Sequence, residues 1–116
     1  MRILVCGDRH WTDEKAIRRE LGAMFTGSTV IHGACRGADA IAGKVARELG
    51  FAVEEYPADW DKYGRAAGPI RNRQMIKEGN PDLVIAFHPD LSKSKGTADM
   101  CSAAKQAGVP VIPVSS

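Results

Sequence analysis

Residues 29–56, TVIHGACRGADAIAGKVARELGFAVEEY, settle the class of fold. Thr29 to His32 is a short run rich in β-branched residues that ends on a glycine-containing turn, the pattern of a buried strand. From Gly37 to Leu49 the period changes. Ala38, Ile41, Ala42, Val45, Ala46 and Leu49 recur at helical spacing, and Gly50 supplies the stop. Ala52 to Tyr56 then reads as a second strand. A strand, a helix and a strand in so few residues form a βαβ unit, whose strands run parallel and whose crossover is right-handed.

Working outward, the same alternation recurs. Ile3 to Cys6, Leu83 to Phe87 and Val109 to Val114 are further apolar strands. A helix over Asp13 to Phe25 places Ile17, Leu21, Met24 and Phe25 on one face, with Thr12 as the expected cap and Asp13 and Glu14 suiting its positive start. Another begins at Gly68-Pro69, with proline at the first helical position, and ends at Gly79; the last runs from Gly96 to Ala107, closed by Gly108. Strands apolar on both faces must be covered on both sides. The expectation is a three-layer α/β/α domain over residues 1–116, with a five-stranded parallel sheet in the order 3-2-1-4-5. A ligand is then expected beyond the strand C-termini, where the order reverses between strands one and four, and the loops after Cys6 and Phe87 should meet there. Pro57 to Ala67 and His88 to Lys95 read as long loops.

Composition bounds the function. A chain of 116 residues, 44% apolar and 26% charged, is an ordinary globular chain, and no apolar run approaches the ~20 residues that span a bilayer. The N-terminus lacks a signal-peptide pattern, so a cytoplasmic, membrane-free protein is expected. Three cysteines without CxxC spacing, Cys6, Cys35 and Cys101, read as reduced thiols. His10, His32, His88 and Cys35 fall near strand ends but lack local ligand spacing, so no metal is expected. Neither GxGxxG nor GxxxxGK[ST] is present, which argues against dinucleotide cofactors and P-loop chemistry; no cofactor is expected.

Charge placement says more than the net +2. Helix starts already carry about half a positive charge, so cations there cost ~0.3–1 kcal/mol each when exposed. Yet Arg36 precedes the second helix, Arg71 is read into the first turn of the third, and Lys95 precedes the fourth, with Arg9, Arg65, Arg73 and Lys93 in the same loops. Repetition along one edge points to a bound anion, and phosphate is the natural candidate. Gly7, Gly33, Ala34, Gly37, Gly96 and Thr97 would bring backbone close to it, with Arg71 as a clamp and Asn72 beside it. Asp39 and Asp99, each in a helix first turn, suit ribose hydroxyls or helix capping; Trp60 and Tyr63 suit stacking on a base or packing on the sheet edge.

Four stretches in order, Ile31-His32-Gly33-Ala34-Cys35-Arg36-Gly37-Ala38-Asp39, Tyr56-Pro57-Ala58-Asp59-Trp60, Gly64-Arg65-Ala66-Ala67-Gly68-Pro69-Ile70-Arg71-Asn72 and Lys95-Gly96-Thr97-Ala98-Asp99-Met100, resemble the small YspA-type members of the SLOG superfamily along almost the entire chain. That resemblance implies a Rossmann-like fold and binding of nucleotides or their derivatives. The superfamily includes the lonely-guy phosphoribohydrolases, which cleave the N-glycosidic bond of nucleoside monophosphates with an arginine in RKxxM and a glutamate in PGGxGTxxE. Arg71-Asn72-Arg73-Gln74-Met75 keeps that arginine and methionine. Gly96-Thr97 matches the GT, but Ser94 replaces the second glycine and Met100 stands at the glutamate. A thioether cannot orient water or support positive charge as a carboxylate does. Asp99 would have to serve instead, or Met100→Glu would have to restore the group.

The first expectation is therefore binding or sensing of a nucleotide-like phosphate ligand. The alternatives are an N-glycosidase of lonely-guy type using Arg71 and Asp99, and single-stranded DNA binding of the DNA-processing-protein-A type. The small net charge and only two Trp, two Tyr and three Phe weaken the DNA reading. A homodimer through an exposed side of the sheet is left open.

Overall fold

Apolar residues that face both sides of a strand demand a layer on each side, and the computed structural model, which describes residues 1–115, has that form. Strands β1 (Arg2–Gly7), β2 (Thr29–His32), β3 (Ala52–Glu55), β4 (Leu83–Phe87) and β5 (Val111–Val114) make one five-stranded sheet in the order β3-β2-β1-β4-β5. Every pairing is parallel, with Ile3 beside Val30, Val5 beside Ile85 and Gly7 beside Phe87. Order and orientation are those the sequence predicts.

Helices α1 (Glu14–Gly22) and α2 (Ala38–Glu48) cover one face. There Ile3, Val5, Val30, Ile85 and Phe87 pack with Ile17, Leu21 and Val45. Helices α4 (Ala67–Gly79) and α5 (Gly96–Gln106) cover the other, where Leu4, Cys6, Ile31, Val84 and Ala86 meet Met75, Met100, Cys101 and Ala104. Successive residues of β1 thus enter opposite cores, the period-two signature of a strand. Burying each large aliphatic or aromatic side chain contributes about 1.5–3 kcal/mol.

Local boundaries depart from the sequence reading where side-chain capping decides them. Asp13, not Thr12, caps α1, its carboxylate accepting from Ala16 N at 3.2 Å. The helix stops at Gly22, leaving Phe25 beyond it at 74% exposure. The segment 57–67 is not all loop: Asp59 accepts from Lys62 N at 3.1 Å and starts the single turn α3 (Trp60–Tyr63). A 3₁₀ turn, Gly64–Ala66, then leads directly into α4. Because α4 begins at Ala67, Pro69 is its third residue and Arg71 its fifth, past the first turn. Within 88–95, Leu91–Lys93 form another 3₁₀ turn.

All loops that follow strands meet on one edge. Asp8 N donates to Phe87 O at 2.8 Å, joining the loops after β1 and β4 as expected, and Tyr56 N donates to His32 O at 2.9 Å. No helix among the described residues is long and apolar enough to cross a membrane.

Candidate functional site

The turn after β2 is the centre of this edge. Gly33, Ala34 and Cys35 present three successive amides, and all three are bonded from beneath. Asp39 Oδ2 accepts from Gly33 N at 3.0 Å and from Cys35 N at 3.3 Å, while His32 Nδ1 accepts from Ala34 N at 2.9 Å. Ala34 holds φ at +59°, a left-handed conformation that a residue with a Cβ adopts only when its surroundings fix it. Gly37, at φ +73°, turns the chain into α2, and a Cβ there would lie 2.4 Å from Asp8 O. Gly7 ends β1 opposite Phe87, inside the sheet.

From above, the turn is held by Arg71. Its Nη1 donates to Gly33 O at 2.6 Å and to Tyr56 O at 3.4 Å, and its Nε donates to Asn72 Oδ1 at 3.1 Å. Among the described residues Nη2 has only the soft Cys35 sulfur at 3.8 Å, so one of its two hydrogens remains for another acceptor. A Cβ on Gly33 would come within 2.3 Å of Nη1; glycine is what admits the guanidinium. Arg71 is thus not an uncompensated cation at a helix start, because carbonyl oxygens from two strand ends meet it.

Above this clasp lies an open cavity of about 400 Å³, lined by Arg9, Gly33, Ala34, Cys35, Arg36, Pro57, Ala58, Trp60 and Arg71. It sits over the ends of β2 and β3, to one side of the β1–β4 junction where the sequence reading places the ligand. Arg9 and Arg36 are exposed, and among the described residues neither has a carboxylate partner. The lining contains no acidic side chain. Trp60, 58% exposed, forms part of the wall, whereas Tyr63 lies outside it beneath Lys62 Nζ, 5.0 Å from the ring centre. Three guanidinium groups and an indole around one concavity can hold an anion attached to a flat ring.

Lys95, Gly96, Thr97 and Asp99 form a second group at the start of α5 and do not line this cavity. Thr97 N is taken by Ser94 Oγ at 3.0 Å. Buried Asn72 joins the two groups: it accepts from Arg71 and donates to Asp99 Oδ2 at 3.0 Å and Gly96 O at 3.4 Å. Arg73 grips Asp99 with both terminal nitrogens, at 2.9 and 3.1 Å. The Arg73 hydrogen bonds, supported by Asn72, hold the Asp99 carboxyl below the usual carboxylate range. Such a group stays ionised and is a poor proton donor. Met100 is only 1% exposed and belongs to the apolar core, so the position that resembles the lonely-guy glutamate faces no ligand space.

Asp39 is the opposite case. Burial drives its carboxyl up to about 6, against the pull of the Cys35 amide, Arg71 and the Gly33 amide. His32, also buried, is pushed down by desolvation and stays neutral with its hydrogen on Nε2, since Nδ1 accepts from Ala34. Among the described residues that Nε2 has no hydrogen-bond partner; Glu55 Oε1 is 3.5 Å away. Among the described residues no group of three or more His, Cys, Asp or Glu is placed to hold a metal. Sequence reading missed His32 as a support for the turn, and Pro57 and Ala58 as cavity walls. The Tyr56-Pro57 break after β3 is the one sequence signal that pointed to the latter.

Two comparisons place this geometry among known proteins. A family model described as "YspA, cpYpsA-related SLOG family" matches residues 1–63, which hold β1 to β3 and the whole turn after β2. The Gene 61 protein of Mycobacterium phage D29 is 40% identical over 120 residues, an alignment that covers 96% of this chain and 94% of that protein.

Proposed function

Since the chain belongs to the YspA, cpYpsA-related SLOG family, a family that points to nucleotide-related function, we propose that it binds a nucleotide or nucleotide-derived phosphate ligand in the cavity above the Gly33–Cys35 turn. One observation carries this reading: Arg9, Arg36 and the free end of Arg71 converge on a concavity without a carboxylate, beside the Trp60 indole. Like charges gathered without counter-charge cost energy that a bound anion reverses. The phosphate donors are side chains here, because the amides of Gly33, Ala34 and Cys35 are already satisfied by Asp39 and His32. Trp60 supplies a face for the base.

Binding without hydrolysis is the form this reading takes. Asp99 lies outside the lining, committed to Arg73 and Asn72, and the lining itself offers no carboxylate to activate water. The test is calorimetric titration with nucleoside monophosphates and the matching nucleosides. The phosphorylated compounds should bind at least tenfold more tightly, and Arg9→Ala with Arg36→Ala should remove that difference, each charge-assisted bond contributing about 1.5–3 kcal/mol. Equal affinity with and without phosphate overturns the reading, as does release of free base by the wild-type protein.

A further inference from the structure

The turn that forms the cavity floor is a single layer of chain with a cation on one side and a buried carboxyl on the other. Resting on the anion-binding reading above, we propose that binding of an anion in this cavity is coupled to protonation of Asp39, which makes the site proton-controlled.

The geometry supplies the coupling. Asp39 is 6% exposed, and its Oδ2 takes both the Gly33 and Cys35 amides of the turn. Gly33 donates its N–H to Asp39 and accepts from Arg71 through its carbonyl, so one residue separates the carboxylate from the guanidinium. Among the described residues, Arg71 is the one cation that acts on Asp39, and it favours the ionised form. The other groups facing it are the Cys35 amide and thiol and the Gly33 amide from the turn, and the Cys6 thiol of β1. His32 of β2 is occupied with Ala34 and looks toward Glu55 of β3 and Arg47 of α2. On the α1 side, Glu14 and Arg18 pair with Lys44 and Glu48. An anion that settles on Arg71 cancels the positive charge that, with the turn's hydrogen bonds, favours ionised Asp39, while burial continues to oppose ionisation. The neutral carboxyl keeps a carbonyl oxygen for the two amides, so the turn survives protonation.

With the carboxyl free to titrate near pH 6 in the empty protein, each tenfold loss of acidity on binding makes anion affinity up to tenfold greater in mild acid than in mild alkali. The probe is inorganic sulfate, whose charge is constant from about pH 5 to about pH 8, followed by two-dimensional NMR at fixed ionic strength. Wild-type affinity should rise about fivefold to tenfold as pH falls across that range. Asp39→Asn, whose amide oxygen can accept the same two N–H groups, should bind at the tighter level throughout. Any contribution from the exposed His10 is common to both proteins. The carbon-13 shift of the Asp39 carboxyl in the wild type, titrated with and without sulfate, gives the same answer without a variant. An unmoved carboxyl midpoint, or equal pH slopes in wild type and Asp39→Asn, overturns the coupling while leaving the anion site standing. Absence of sulfate and nucleotide binding at every pH removes the site and the coupling together.

Discussion

Arg71→Ala separates a clasp from a mere ligand arm. If Arg71 served only to await an anion, its removal would relieve repulsion from Arg9 and Arg36 and leave the empty protein as stable as before, or more so. Its contacts dictate otherwise. Nη1 is the close partner of the Gly33 carbonyl at 2.6 Å, and Gly33 is buried, so truncation leaves that acceptor with only the weak Cys35 thiol donor at 3.8 Å among the described residues. A hydrogen bond to a charged group contributes about 1.5–3 kcal/mol, and the longer contact to Tyr56 O at 3.4 Å adds little. Relief of repulsion among exposed guanidinium groups returns a few tenths of a kcal/mol. The net loss is about 2 kcal/mol. With an unfolding entropy of about 2.1 cal/mol/K per residue, a chain of 116 residues loses about 4 °C per kcal/mol, so its midpoint should fall by about 8 °C. Differential scanning calorimetry of ligand-free protein at two salt concentrations measures this, and Arg71→Lys, which keeps the charge but not the fork, should fall between. An unchanged or raised midpoint for Arg71→Ala refutes the clasp.

Four further outcomes are expected. Gly37→Ala should cost about 1–3 kcal/mol in urea unfolding, since its φ of +73° is unfavourable for alanine and the new Cβ would meet Asp8 O at 2.4 Å. Met100→Glu should not create a hydrolase; it should lower stability by several kcal/mol, because the side chain it replaces is 1% exposed in an apolar core, and a stable variant that releases free base would contradict this. Asp99→Asn should cost less than about 1 kcal/mol, as the Arg73 side chain it releases is half exposed, and nucleotide affinity should be nearly unchanged by titration. For Asp39, the folded value of about 6 lies above the ordinary 3.8, so its contribution to stability is complete below about pH 4 and is lost as pH rises through 6. The stability of wild type relative to Asp39→Asn should therefore fall by on the order of 3 kcal/mol over that interval in denaturant titrations.

The elements and the two cores were legible in the sequence because they follow from local periodicity, and strand direction and sheet order because alternating strands and helices joined by right-handed crossovers leave few topologies. Ile3, Val5 and Leu4, Cys6 alternate between faces, and the Ala38–Ala46 stripe repeats at helical spacing whatever lies elsewhere in the chain. The concentration of arginines and glycines on the loops of one edge was legible for the same reason: topology alone brings strand C-termini together. Which of those residues share a cavity was not. Arg71 reaches Gly33 across 38 positions and Asn72 reaches Asp99 across 27, and no sequence spacing encodes those encounters. Nor could composition say that Asp39 would be buried and hard to ionise while Asp99, likewise in a helix first turn, would be held ionised by Arg73. The difference is desolvation against charge pairing, and both depend on what the folded chain places around a carboxyl rather than on the residues beside it in sequence.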